Sequence, residues 1–262
     1  MPSIHINIEQ IQIFILILLR ISAIIIFLPV FDSKNIPVIF KVGLVLSMTA
    51  LVMPLTHIKP TDYLNELHLF LAAAGGEVLL GAAVGMLVKF FFGALQLAGQ
   101  VAGYQMGLGI ANVIDPLSNE QVPFLGQLKT LTALMVFLAL DAHHLLIRAV
   151  IESFRMAPPL DFFIGSSVIN QIVRVSSVMF VTALKIGAPV MASLLLTSIA
   201  LGIAARTVPQ MNVFIVAFPL KILVGLIFLG FAVPYLVVFL GAAFKSLAGD
   251  MLILFKAASS LS

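Results

Sequence analysis

Apolar residues run in long stretches along this chain, and polar residues gather in short clusters between them. A helix needs about 20 mostly apolar residues to cross a bilayer core. Stretches of that kind begin near Ile11, Ile36, Leu67, Phe124, Ile172 and Val213. The breaks between them are recognisable by residue type. Asp32-Ser33-Lys34-Asn35 before Pro37 predicts a turn and then a helix start, since proline is tolerated in a first turn. Pro54 and the run 56–66 part the second and third segments. Residues 115–120, DPLSNE, continued by Pro123, read as a loop. Residues 155–161, with Pro158-Pro159, close the fourth helical region, and Arg206-Thr207-Val208-Pro209-Gln210 separates the last two. No short repeat or low-complexity tract interrupts the pattern. It predicts an all-α, polytopic helical membrane protein forming a single helical domain over 1–262, with long and in places kinked or broken helices.

Composition removes the soluble alternatives. Apolar residues make up 61% of the 262 positions, charged residues 10%, and the mean hydropathy is +1.19. Soluble domains run at about 45–50% apolar and about 25% charged. Too few charges remain to coat a water-facing surface, which excludes a soluble enzyme, a disordered regulator and a free nucleic-acid binder. The net charge of +3 decides little, because it rests on 14 basic and 11 acidic residues. With no cysteine, disulfides, thiolate metal sites and thiol catalysis are excluded as well.

The first ten residues hold Glu9 and neither Lys nor Arg, and Arg20 interrupts the apolar stretch 11–31. This reads as a retained first membrane helix and not as a cleaved signal. Lys245 and Lys256 in the tail favour an exported N-terminus and a cytoplasmic C-terminus. Six crossings would instead leave both ends on one side. Either one segment fails to cross or the glycine-rich region counts differently.

Two segments do not look like plain anchors. The stretch 67–109 is about twice the length of one span and carries nine of the 18 glycines. Gly99, Gly103 and Gly107 recur every four residues and so share a helix face. Such rows let helices pack closely, and the same density permits bends or breaks at the wall of a path. In the stretch 172–201, Lys185 followed by Gly187 and Pro189 predicts a kink or break. Residues 185–244 then read as a helical hairpin. Lys245, Asp250 and Lys256, spaced among apolar residues, suggest an amphipathic tail placed at an interface or against a partner.

Charges within or beside apolar segments are Arg20, Lys41, Glu77, Lys89, Lys185 and Lys221. A charge in hydrocarbon costs several kcal/mol, at about 2.5–3.5 on insertion scales, so such residues face protein, an aqueous cavity or an interface. Lys41, Lys185 and Lys221 can also snorkel from helix ends. Glu77 and Lys89 are more than three helical turns apart and cannot pair along one helix, so each needs a partner elsewhere in the fold or in another subunit. Asp141, His143 and His144 invite a metal reading, but adjacent histidines lack the i, i+4 spacing of a helical zinc pair. A polar helix end with Arg148 and Glu152 is the plainer reading. No nucleophile elbow, P-loop or dinucleotide fingerprint is present. No catalytic residue, cofactor or metal is predicted.

The stretch 103–122, GYQMGLGIANVIDPLSNEQV, passes from glycine-spaced apolar residues into a polar loop. Apolar, flexible backbone at membrane depth is tolerated where protein buries it or it lines a cavity. Met and aliphatic side chains seal without fixed geometry, so a deformable plug is one reading and an ordinary helix end followed by a loop is the other.

Four blocks together resemble the FliR family of type III secretion export-gate subunits: GYQMGLGIANVIDP at 103–116, QVPFLGQL at 121–128, DAHHLLIRAVIESF at 141–154, and LKIGAPVMASLLLTSIALGIAARTVPQMNVFIVAFPLKILVGL at 184–226. The resemblance implies a non-enzymatic subunit of a protein-conducting pore, with a P-like part over about 1–170 and a Q-like hairpin and tail over about 171–262. It implies a plug formed by Met106, Leu108, Ile110, Ala111, Val113 and Ile114, with Asp115 and Pro116 anchoring the loop's return. Arg206, Pro209 and Gln210 match the family's Arg-x-x-Pro-Gln turn at the hairpin tip. Implied partners are P- and Q-type gate subunits, FlhB- and FlhA-type export proteins, unfolded flagellar substrates and membrane lipid, with no nucleic acid. The implied location is the bacterial inner membrane at the flagellar basal body. Neighbouring subunits would then cover much of the apolar surface.

The spellings at 103–116 and 143–147 favour the flagellar branch over a virulence secretion system. A small-solute secondary transporter would need a midplane polar site and, commonly, inverted repeats. Glu77 and Lys89 are its only candidates, and no repeat is visible. An intramembrane hydrolase would lack a nucleophile–base pair.

Overall fold

The computed structural model describes residues 8–28, 31, 36–56, 66–108, 124–159, 165–208, 210 and 212–259. Among these residues the chain is all-α. Its helices are α1 (Ile8–Phe27), α2 (Val38–Val52) with a 3-10 turn at Met53–Leu55, α3 (Leu67–Gln105), α4 (Phe124–Ala139), α5 (Ala142–Met156), α6 (Ser166–Thr207) and α7 (Val213–Ala258). α1, α3, α6 and α7, and α2 with its 3-10 turn, are long and apolar enough to cross a membrane, and α4 and α5 taken together would make a sixth crossing.

Most helix starts fall where the apolar pattern predicts. Pro37 caps α2, its carbonyl accepting from Phe40 at 3.0 Å. The fourth apolar region, however, is two helices and not one. It breaks at Leu140 and Asp141, where Asp141 takes a left-handed φ of 52°. Two expected breaks are absent. The glycine-rich segment is one helix of 39 residues, and α6 runs on through Gly187 and Pro189 for 42. Proline in a helix removes one N–H bond, and neighbouring helices and local adjustment make this tolerable in membrane helices. α7 likewise contains Pro219 and Pro234 within its 46 residues. At roughly 1.5 Å per residue these three helices are about 58 to 69 Å long, about twice the roughly 30 Å of hydrocarbon in a bilayer.

The chain forms two compact units, each discontinuous in sequence. Unit 1 comprises residues 1–90, 141–176 and 245–262, and unit 2 comprises 91–140 and 177–244. In unit 1, α1 buries Ile13, Leu16, Ile17, Arg20, Ile21 and Ile24, the three-and-four spacing of a single helix face. α3 approaches α1 closely: a Cβ on Gly81 would lie 2.6 Å from the Arg20 carbonyl oxygen. The tail is amphipathic as expected, burying Leu247, Met251, Leu254, Phe255 and Ala258, but it is a continuation of α7 and not a separate helix. Within unit 1, Arg174 of α6 pairs with Asp250 of the tail at 2.5 Å, and the Gln171 amide donates to the Asp250 carbonyl at 3.3 Å.

In unit 2, Val190 and Leu194 of α6 share a cluster with Ile222 and Leu229 of α7, and Ile186 shares a cleft with Leu229 and Leu236. Rising numbers on α6 meet falling numbers on α7. The two helices are therefore antiparallel, the hairpin that 185–244 predicted. Phe91 and Phe92 of α3, Phe137 of α4 and Phe244 of α7 form an aromatic cluster, with Phe91 and Phe244 ring centroids 4.7 Å apart.

Candidate functional site

The segment expected to form a plug begins where α3 ends, inside unit 2. Near its C-terminal end α3 lies against α4 with no side chain between them, for a Cβ on Gly99 would come 2.5 Å from the Gly126 Cα. Small residues at 99 and 126 permit this approach. Two turns on, Met106 is fully buried among Ala102, Leu125, Val190 and Leu194. Its thioether rests on α7 at Gly225, where a Cβ would lie 2.7 Å from its Sδ. α3 is then stopped by Gly107. Its φ of +84° is the left-handed conformation that glycine adopts without a Cβ penalty, and its N–H donates to the Tyr104 carbonyl at 3.0 Å. The Phe218 ring covers it, 2.5 Å from where a Cβ would be. Leu108, partly buried, packs on the same cluster.

Of the expected plug residues, then, Met106 and Leu108 are brought together on one apolar cluster built from α3, α4, α6 and α7. Met106 is bedded in the core as the anchor of the segment that follows. Ile110, Ala111, Val113, Ile114, Asp115 and Pro116 lie outside the described residues. At the hairpin turn, Arg206 and Gln210 are exposed, and Pro209 lies outside the described residues. Arg206 sits in the last turn of α6, where a cation suits the helix dipole.

The flagged charges divide sharply. Glu77 and Arg20 are both fully buried in unit 1 and form a bidentate pair, with Arg20 Nη2 2.9 Å from Glu77 Oε1 and Nε on Oε2. Arg20 Nη1 also donates to the Ser153 carbonyl at 3.0 Å, and its guanidinium lies over the Phe154 ring at 4.2 Å. Glu77 thus finds a partner outside its own helix, as the spacing required. Lys89 is exposed, 5.8 Å from the Phe27 ring centroid; Lys185 is exposed and Lys221 half-buried. Asp141 Oδ1 lies 3.9 Å from His143 Nε2 and 3.8 Å from His144 Nδ1 at the exposed start of α5. These three are the group among the described residues whose donor atoms come close enough to one another to hold a metal.

The model of the family described as "Bacterial export proteins, family 1" matches residues 11–247. The chain belongs to this family. It is similar to flagellar biosynthetic protein FliR of Bacillus subtilis, 37% identical over 219 residues that cover 82% of this chain and 84% of that one. Proteins of the same name are 29% identical in Escherichia coli, over 85% and 84% of the two chains, and 28% in Aquifex aeolicus, over 86% and 87%. The match takes in every described helix core, from α1 into the tail of α7.

Within this bacterial export protein the sequence pattern left two features unassigned. Arg20 stood out as a charge in an apolar stretch, but its partner 57 residues away cannot be read from periodicity. Lys129, the one charge within α4, is 5% exposed and its ammonium has no hydrogen-bond partner among the described residues. The available signal was a single cation amid FLGQLKTLTALMVFLA.

Proposed function

We propose that this chain is a non-enzymatic subunit of the export gate of a flagellar type III secretion apparatus, helping to form and to plug the pore for unfolded flagellar proteins. The observation that carries this reading is the 37% identity, across more than four-fifths of both chains, to a protein named flagellar biosynthetic protein FliR. Several apolar helices about twice as long as a bilayer is thick support a multi-pass inner-membrane subunit whose surface is largely covered by P- and Q-type subunits and by FlhB- and FlhA-type proteins. Residues of about 1–170 act as the P-like part and about 171–262 as the Q-like part, whose hairpin is the antiparallel α6–α7 pair.

The plug is the segment from Met106 to Ile114, with Asp115 and Pro116 at its return. Met106 and Gly107 fix its base on α7, and the aliphatic residues beyond supply a gasket that yields when a chain is pushed through. Arg206, Pro209 and Gln210 set the hairpin turn. Deleting 108–114 while keeping Met106 and Gly107 is expected to leave assembly intact and to make the membrane leak small ions, read as a fall in membrane potential. Unchanged permeability in an assembled complex would sink the plug assignment. Co-purification of the tagged wild-type chain tests gate membership separately.

A further inference from the structure

Lys129 lines a cleft of about 40 Å³ in unit 2, between α4, α6 and α7. The walls are Leu128, Ile186, Leu229 and Leu236, with Thr132 and Tyr235 as the other polar residues. Thr132 donates its hydroxyl to the Leu128 carbonyl at 2.9 Å and makes no hydrogen bond with the ammonium. The ammonium is a triple donor with no acceptor among the described residues, inside an apolar wall. A buried charge is retained where something pairs with it, and this chain alone supplies no such group in the described fold.

Three residues of its lining, Leu128, Val233 and Tyr235, are exposed, and exposed Leu131 and Met135 continue an apolar surface along α4. A space this small, room for a few water-sized groups, admits a carboxylate on a narrow stem. It does not suit a phosphodiester, which carries four oxygens and two bulky arms.

We propose that this cleft receives an aspartate or glutamate of a neighbouring protein subunit, whose carboxylate pairs with Lys129 while its helix covers the apolar surface of α4. The proposal rests on the gate-subunit reading above. It adds a charged docking point on a surface otherwise held by apolar contact.

The test uses the full-length tagged chain, expressed with the other export subunits and purified as the assembly. Zero-length carbodiimide coupling, followed by peptide mass spectrometry, should join Lys129 to an acidic residue of another chain. Lys129→Met keeps the stem and removes the charge; it should accumulate in membranes at the wild-type level yet recover at least ten-fold less of the co-purifying subunits. Lys129→Arg should recover most of them. Coupling only to an acid of the same chain overturns the proposal. So does undiminished recovery with Lys129→Met, or a fall in bound phospholipid phosphorus with recovery unchanged. Failure of the wild-type chain to recover any subunit would instead overturn the gate reading itself.

Discussion

The two units hold themselves together by opposite means. Unit 1 closes on a buried, directional contact: Arg20, Glu77 and Ser153 meet from α1, α3 and α5 with fixed hydrogen-bond geometry. Unit 2 closes, beside the base of the proposed plug segment, on contacts without direction, a methionine bedded on a glycine among aliphatic side chains. A bidentate ion pair has one good arrangement, whereas a thioether among aliphatic groups has many of similar energy. Rigidity is placed where three helices must be registered, and compliance where the segment proposed as the plug leaves its helix.

Mutations can break or sharpen that contrast. The largest effect is expected from Glu77→Ala, which leaves the Arg20 guanidinium buried and unpaired, at about 3–5 kcal/mol. Thermal unfolding of the detergent-purified chain should show it. The double change Arg20→Met with Glu77→Leu should recover most of that loss, since no lone charge remains. If Glu77→Ala melts like wild type, the polar lock is not what holds unit 1.

Gly99→Ala comes next, at about 1–3 kcal/mol, because its Cβ meets Gly126 backbone that cannot yield. Gly225→Ala is the informative partner of that variant. Its Cβ meets the Met106 side chain from Cγ to Cε and not backbone, and a thioether chain repacks more readily than a helix backbone, so it should cost less on the same melting assay. Equal losses would refute the compliance assigned to unit 2. Smallest of all should be Arg174→Ala. The arginine of the Arg174–Asp250 pair is half exposed, and surface pairs contribute about 0–1 kcal/mol.

Much of the helix layout was legible because the bilayer-length stretches and their proline-rich gaps carry it in composition alone. The antiparallel pairing of α6 with α7 followed from the short turn at 206–210. The break at Leu140 and Asp141 was not legible, because ALDAHH contains neither glycine nor proline and the left-handed residue is an aspartate. The opposite error occurred at Pro189, a breaker by type that the helix absorbs. For the candidate site, glycine spacing located the close approach of α3 but could not show that Met106 is packed in the core. That packing depends on Gly225, 119 positions later and on another helix. Lys129 was overlooked for a similar reason, since a lone cation in an apolar helix is ordinary until its surroundings are known.

The glycines also sort themselves by what a methyl group would strike. At Gly107 any missense change adds a β-carbon to a left-handed residue beneath Phe218, whereas Gly43, Gly75, Gly202, Gly230 and Gly249 have open space around them within the chain. In a saturation screen for swimming, codon 107 should therefore be intolerant on intramolecular grounds alone. An open codon such as 202 or 230 has no such reason. If it proves equally intolerant, the obstruction comes from another molecule, and a map of forbidden codons would trace the footprint of the neighbours on this chain.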